Sequence, residues 1–339
     1  VKVLLLHPGP SFSVADVCNG WAKGFQQAGC SVAVWNLNDR LEFFERAHIS
    51  DDGGPFKKAF TTQQAALLAS ETLFSQVYKW WPDLIVVVSG FYTDPSVYEE
   101  LRRHGHKVVL LHTESPYEDP KQIRVAPAVD LNVLNDPTNL DAFRDVNPNS
   151  VFFGHAYDPD VHHPTSVAPS RDFVFVGTGY PSRIDFLEAV DWPTDDVTLA
   201  GNWQGLTEDS PLRPFVGHAI DACIDNTATA DLYRTARASA NLYRVEGTGS
   251  PDGWAMGPRE VELAACGTFY LTEARGENRQ VLPMVPTFDG PEDFADVLGW
   301  WLNHPDKRAD VARRAQAAVA GRTFADSARR LLRLVDTLT

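Results

Sequence analysis

The chain has 339 residues, 44% of them hydrophobic, and a formal charge of −15. That length exceeds the roughly 250 to 300 residues at which a single core stops growing, so two domains are expected. Acidity on this scale excludes coating nucleic acid by simple electrostatics, which needs clustered Lys and Arg, and no apolar run approaches the ~20 residues of a membrane span, so the chain reads as a soluble, cytoplasmic protein.

From the N-terminus, Val1–His7 is a continuous apolar run of strand type, followed by a Pro8-Gly9-Pro10-Ser11 loop and a helical pattern over Val14–Ala28 that Gly29 closes. Ser31–Leu37 is the next strand. Gln63–Trp80 reads as helix, Asp83–Ser89 as strand, Pro95–His104 as helix and Lys107–His112 as strand, with Leu131–Leu134 and Ser150–Phe153 completing the set. Strands this uniformly apolar are buried on both faces, and their alternation with helices predicts a doubly wound parallel sheet.

The Pro- and His-rich stretch Tyr157–Pro164 reads as a linker, because its prolines forbid helix and interrupt ladders. A second alternating set follows it. Strands are expected at Phe173–Gly177, Val197–Ala200, Ala238–Tyr243 and Val285–Phe288, with helices at Arg183–Val190 and near Thr229–Ala236, then at Pro291–Leu302 and from Lys307 to the terminus. The expected fold is therefore α/β: two Rossmann-like domains, 1–156 and 157–320, facing across a cleft, and a C-terminal helix over 321–339 expected to pack back on the first domain. Divided near residue 156, the first part carries 13 basic and 18 acidic side chains against 17 and 27 in the second, so a polyanionic acceptor would favour the first. Cys18, Cys30, Cys223 and Cys266 lie far apart without a C-x-x-C, which predicts reduced, buried thiols and neither disulfide nor zinc.

The most informative segment is Gly257–Thr272. Arg259 and Glu262, three apart on a helix, share one face, and Gly267 ends that helix before a short strand. An Arg fork suits phosphate and an ionised carboxylate suits paired ribose hydroxyls, which points to a nucleotide. The same pair also fits an exposed ion pair worth about 0.3 kcal/mol. Gly177-Thr-Gly179 follows a strand and precedes a helix beginning near Pro181-Ser182-Arg183, a place where backbone donors meet phosphate. The third glycine of the dinucleotide fingerprint is missing, which demotes hydride chemistry. Arg183 opposes the helix dipole at that position, a conflict an anionic ligand would resolve, and a solvated surface Arg is the alternative.

His155-x-Tyr157-Asp158-Pro159, His163-Pro164, Val176-Gly177, Pro181-x-Arg183, Gly201-x-Trp203, Asn241-Leu-Tyr-Arg244 and Arg259-x-x-Glu262-x-x-Ala265-Cys266-Gly267 together resemble the CgeB-like glycosyltransferases of the GT-B superfamily, over most of residues 150–335. The resemblance implies transfer of a sugar from a nucleoside-diphosphate sugar to a hydroxyl acceptor, with a UDP-sugar favoured as co-substrate, no further cofactor and no metal. It places Glu262 on the ribose and Arg183 and Arg259 near the diphosphate, with Gly177, Gly179, Trp203, Asn241, Tyr243, Arg244 and Gly257 around the donor. Related enzymes often carry an E-x7-E pair whose second acid matches Glu262; here Trp254 stands at the first, which leaves the donor sugar's contact to Asp252 or the backbone of Gly253–Gly257.

His112-Thr113-Glu114 lies where a buried strand ends in a loop. His112 would bond the transferred sugar, unless it is a structural histidine, and Glu114 would act as base or stabilise charge on the ring. Asp16, near the first helix, is a second candidate base or an N-cap. The string Asp158-Pro-Asp160 with His162-His163 is discounted as a metal motif because it sits in the linker. Relatives bearing the Glu262 motif mostly retain configuration, so retention is the first expectation and inversion the second. A non-catalytic nucleotide-sugar-binding protein and a nucleotide-sugar epimerase are the alternatives. Glycans, small molecules and modified DNA are all open as acceptors, the last through a basic groove around Lys57, Lys58, Arg102 and Arg103.

Overall fold

The computed structural model describes residues 1–9, 12–49 and 57–338, without the side chains of 12, 13, 48, 49, 57 and 58, so Lys57 and Lys58 of the expected groove lie outside the described side chains. The chain divides into two compact units, Val1–Phe153 with Phe324–Thr339, and Gly154–Thr323.

The first unit runs β1 (Lys2–Leu6), α1 (Phe12–Gln27), β2 (Ser31–Trp35), α2 (Leu37–Glu45), β3 (His48–Ile49), β4 (Lys57–Lys58), α3 (Thr62–Glu71), α4 (Leu73–Trp80), β5 (Leu84–Val88), α5 (Pro95–Arg103), β6 (Lys107–His112), α6 (Asp119–Val125), β7 (Leu131–Leu134), α7 (Leu140–Val146) and β8 (Ser150–Phe152). Its sheet has the order β2-β1-β5-β6-β7-β8, every pair parallel. Alternate side chains of the apolar strands feed two different cores. Leu4, Ile85, Val87, Val108 and Leu110 join one cluster, and Val3, Leu5, Val86, Val88 and Val109 the other. Each fully buried Val or Leu contributes on the order of 1.5–3 kcal/mol, which is why these runs are legible as strands.

The second unit runs β9 (Arg171–Val176), α8 (Pro181–Glu188), β10 (Val197–Ala200), α9 (Asn226–Thr235), β11 (Ala236–Asn241), α10 (Pro258–Cys266), β12 (Tyr270–Thr272), α11 (Gly276–Val281), α12 (Gly290–Leu302) and α13 (Pro305–Val319). Its sheet, β10-β9-β11-β12, is again wholly parallel. The final helix, α14 (Phe324–Val335), returns to the first unit and packs along α1. That contact needs small residues: a Cβ at Gly20 would stand 2.2 Å from the Phe324 ring, and one at Gly24 2.5 Å from its carbonyl oxygen.

Several expected elements differ. The single helix over Gln63–Trp80 is two, α3 and α4, parted at Thr72, whose hydroxyl donates to Ala69 O at 2.7 Å. Val285–Phe288 forms no strand, only an isolated bridge between Thr272 and Thr287. The long terminal helix is broken in the Ala320–Thr323 segment into α13 and α14. Cys223 is exposed, not buried, and Cys30 is half-buried; all four thiols are free.

Candidate functional site

In a doubly wound sheet, ligands lie beyond the carboxyl ends of the strands where the strand order reverses. In the second unit that point falls between β9 and β11. The residues just past those strand ends are Gly177–Arg183 after β9 and Leu242–Glu246 after β11, with Glu273 following β12.

Arg259, in the first turn of α10, reaches back across these ends. Its Nε donates to Val176 O at 2.8 Å and its Nη1 to Asn241 Oδ1 at 2.9 Å. The guanidinium lies 4.6 Å from the Phe175 ring centroid, and a Cβ at Gly177 would stand 2.5 Å from Nη2. One backbone carbonyl, one side-chain oxygen and a ring therefore fix this cation in place. Glu262, one turn on and half-buried, has a carboxylate that forms no hydrogen bond and no ion pair with any described residue. Arg259 and Glu262 both act on the buried Tyr233, whose hydroxyl burial pushes well above the usual range; Glu262 adds to that rise and Arg259 opposes it. The spacing thus gives the shared face expected of it, but not an ion pair. Asn241, buried at the end of β11, links Arg259 to Thr272.

Arg183 is only 9% exposed. Its Nε and Nη2 donate to Leu242 O at 3.1 and 2.8 Å, and its Nη1 to Thr178 O at 3.0 Å. Carbonyl oxygens hold the cation at this helix start, and its burial excludes the solvated-surface alternative. The anion at the α8 N-terminus comes from the chain itself: Glu246 Oε1 accepts from Ser182 N at 2.9 Å and Oε2 from Val245 N at 3.1 Å. Burial pulls the Glu246 carboxyl up, but these amide bonds win and hold it below the usual range. Arg183 and Arg244 both lie on the Tyr180 ring, at 5.1 and 5.8 Å from its centroid, and Arg275 lies 3.6 Å from that of Tyr243.

Beneath them Glu260 is fully buried and saturated. It accepts from the Tyr243 hydroxyl, from Gly257 N at 2.8 Å, from Thr272 Oγ1 at 3.0 Å and from Asn278 Nδ2 at 3.3 Å. Burial raises its pKa and the four donors oppose the rise. Burial also pushes the Tyr243 phenol far up, with the Glu260 charge adding to it.

Trp203 does not belong to this face. It is fully buried, with its indole N–H on Ala200 O at 3.0 Å and its ring against Phe175. A Cβ at Gly179 would stand 2.5 Å from that ring, so Gly179 makes room for a core tryptophan. The place expected for Trp203 around the donor is replaced by core packing.

The candidates of the first unit have a different character. His112, at the end of β6, is 2% exposed; its Nε2 lies 2.8 Å from Asn132 Oδ1 and its ring packs edge-on against Phe143. Asn132 spends its amide on Ala126 O, so its oxygen accepts and the imidazole proton sits on Nε2. Burial lowers the His112 pKa to about 4, leaving a neutral ring. The expected sugar contact is therefore closed by packing. Glu114 is half-buried, its amide near Gln122 Oε1 at 3.4 Å. Asp16 lies inside α1, past its first turn, so it is not an N-cap. Arg102 is paired with Asp130 at 3.0 Å and Arg103 with Glu100.

Residues 169–333 match the family model described as glycosyl transferase-like. Among solved structures, the chain is similar over its whole length to the trehalose-6-phosphate synthase OtsA, at 11% identity and TM-score 0.68 with both chains fully covered. It is also similar to an alpha-glucosyltransferase solved with UDP and a 13-mer DNA containing a HMU base, at 10% identity, TM-score 0.65 and 99% coverage of each chain. A third is a Listeria monocytogenes protein assigned as a UDP-N-acetylglucosamine 2-epimerase, at 10% identity, TM-score 0.62, covering 99% of this chain and 96% of that one. No curated protein matches the chain. The two Rossmann-like units have the GT-B fold, and residues 169–333 carry a glycosyl transferase-like domain.

Proposed function

We propose that the chain is a CgeB-like transferase that binds a nucleoside-diphosphate sugar, with a UDP-sugar as first choice, and passes the sugar to a hydroxyl acceptor without a metal. The observation that carries the reading is Glu262: a half-buried carboxylate with no partner among the described residues, on one helix face with the braced guanidinium of Arg259. An ionised carboxylate in that state is open to further donors, and a pair of ribose hydroxyls matches it. Arg259 and Arg244 face the diphosphate in this reading, with Arg183 bracing the loops around it. Held cations act on charge that grows on the leaving diphosphate, and their fixed geometry spares reorganisation at the moment of transfer. Retention with little protein base catalysis is the first choice here, because Glu246, Glu260 and Glu273 each accept from a backbone amide and Glu262 is assigned to the ribose.

Glu262→Ala tests this. Calorimetry with UDP should show at least a tenfold loss of affinity, the scale of a charge-assisted hydrogen bond. Unchanged affinity in a variant that melts like the parent would remove the assignment.

A further inference from the structure

Glu273 follows β12 directly, and every part of it except one oxygen is held. Its amide donates to Asn241 O at 3.3 Å, and its carbonyl accepts from Asn278 Nδ2 at 2.9 Å. Its side-chain Oε2 accepts from Tyr243 N at 2.5 Å. The other oxygen, Oε1, has no hydrogen-bond partner among the described residues. The neighbouring segment is held as firmly. Arg275 donates to Ala255 O and Pro251 O, both at 3.2 Å, while Met256 N donates to Glu277 Oε2 at 2.8 Å. Burial raises the Glu273 carboxyl, opposed by Tyr243 N–H and the nearby charges of Arg275 and Arg183. A half-buried acid with one lone-pair edge open, set rigidly at the strand ends, is an acceptor awaiting a donor.

We propose that Glu273 is a specificity residue, whose Oε1 accepts a hydrogen bond from a hydroxyl of the transferred sugar. The inference rests on the nucleotide-sugar reading above and goes beyond it by naming a sugar contact. Its chemistry selects the occupant. A carboxylate repels the diphosphate, which belongs beside the guanidinium groups, and the ribose is assigned to Glu262 on a different element. The neutral ring joined to the diphosphate remains, and it presents hydroxyl donors. A hydroxylated hexose or pentose therefore fits, and a uronic acid would meet like charge.

The test separates the sugar from the nucleotide. Calorimetry on the full chain compares UDP with UDP-glucose, and GDP, TDP and ADP with their glucose esters, for the parent and for Glu273→Gln. The amide keeps an acceptor for Tyr243 N–H and preserves the loop, so free nucleotide binding doubles as the folding control. The expected result is a nucleotide Kd within about twofold of the parent and a roughly tenfold weaker sugar nucleotide, the scale of one hydrogen bond to a charged acceptor. Equal losses for both ligands, or no loss for either, would overturn the inference while leaving the donor reading intact. A parent that binds none of the four pairs overturns the donor reading, and the inference falls with it.

Discussion

The two units share one plan, a wholly parallel sheet wound with helices, yet they use polar side chains at the strand ends in opposite ways. In the first, the buried carboxylate is satisfied: Asp119 accepts from Ser115 Oγ, Gln122 Nε2 and Asn139 Nδ2, and His112 Nε2 is spent on Asn132. In the second, a saturated layer centred on Glu260 lies beneath Arg259 and Tyr243, while Glu262 and one oxygen of Glu273 keep open valence. The same fold thus supports polar groups that stabilise and polar groups that wait for a ligand. What separates Asp119 from Glu262 is whether the carboxylate finds its donors inside the unit.

The largest effect should follow removal of the saturated layer. Glu260→Ala leaves the Tyr243 hydroxyl, Gly257 N–H and Asn278 amide without their acceptor, at about 1–3 kcal/mol for each buried orphan. A loss of roughly 3 kcal/mol or more is expected in urea unfolding, together with faster hydrogen exchange in 154–323 and unchanged exchange in 1–153. Exchange that rises equally in both units would break the contrast, because it would make Glu260 a determinant of the whole chain.

The buried acids and the buried histidine also predict opposite responses to pH. His112 has a folded pKa of about 4, below its unfolded value near 6.5, so the unfolded chain binds the extra proton. Its contribution is complete above pH 6.5 and is lost as pH falls towards 4, by about 1.4 kcal/mol for each pH unit in that window. Glu260 and Glu273 are raised above their ordinary values, so acidification through their folded pKa stabilises the second unit. Urea titrations of the parent and His112→Gln from pH 7.5 to 4.5 should show the penalty of the variant shrinking below pH 6.5. A penalty constant across that range would mean that His112 titrates normally.

Much of this was legible in the sequence, for physical reasons. Runs such as Leu84–Val88 are buried on both faces and announce themselves as parallel strands, whereas α2, β3 and β4 are short and carry no comparable run. Within the site, Arg259 and Glu262 were readable because both sit on one helix and their relation is local. Glu246, Glu260 and Glu273 were not, since their meaning lies in partners 64, 17 and 30 residues away. Glu273 had one available signal, an acid directly after a strand of a doubly wound sheet. Trp203 misled for the converse reason: an aromatic after a strand end reads the same whether it faces ligand or, as here, the core.

The smallest expected effect is also the most direct probe of the contrast, because it concerns an acid that is satisfied yet replaceable. Glu246 occupies the amide donors of Ser182 and Val245 at the start of α8, in the second unit's own strand-end region. A helix N-terminus favours negative charge by about 0.3–1 kcal/mol, and a bound diphosphate would compete with this carboxylate for the same donors and the same positive field. Glu246→Ala vacates the position and removes one like charge, so UDP should bind about two- to fivefold tighter, most clearly at low salt. Weaker binding would show instead that Glu246 holds the Tyr180–Arg183 loop in shape for the ligand, and would move it from the class of displaceable acids to that of Glu260.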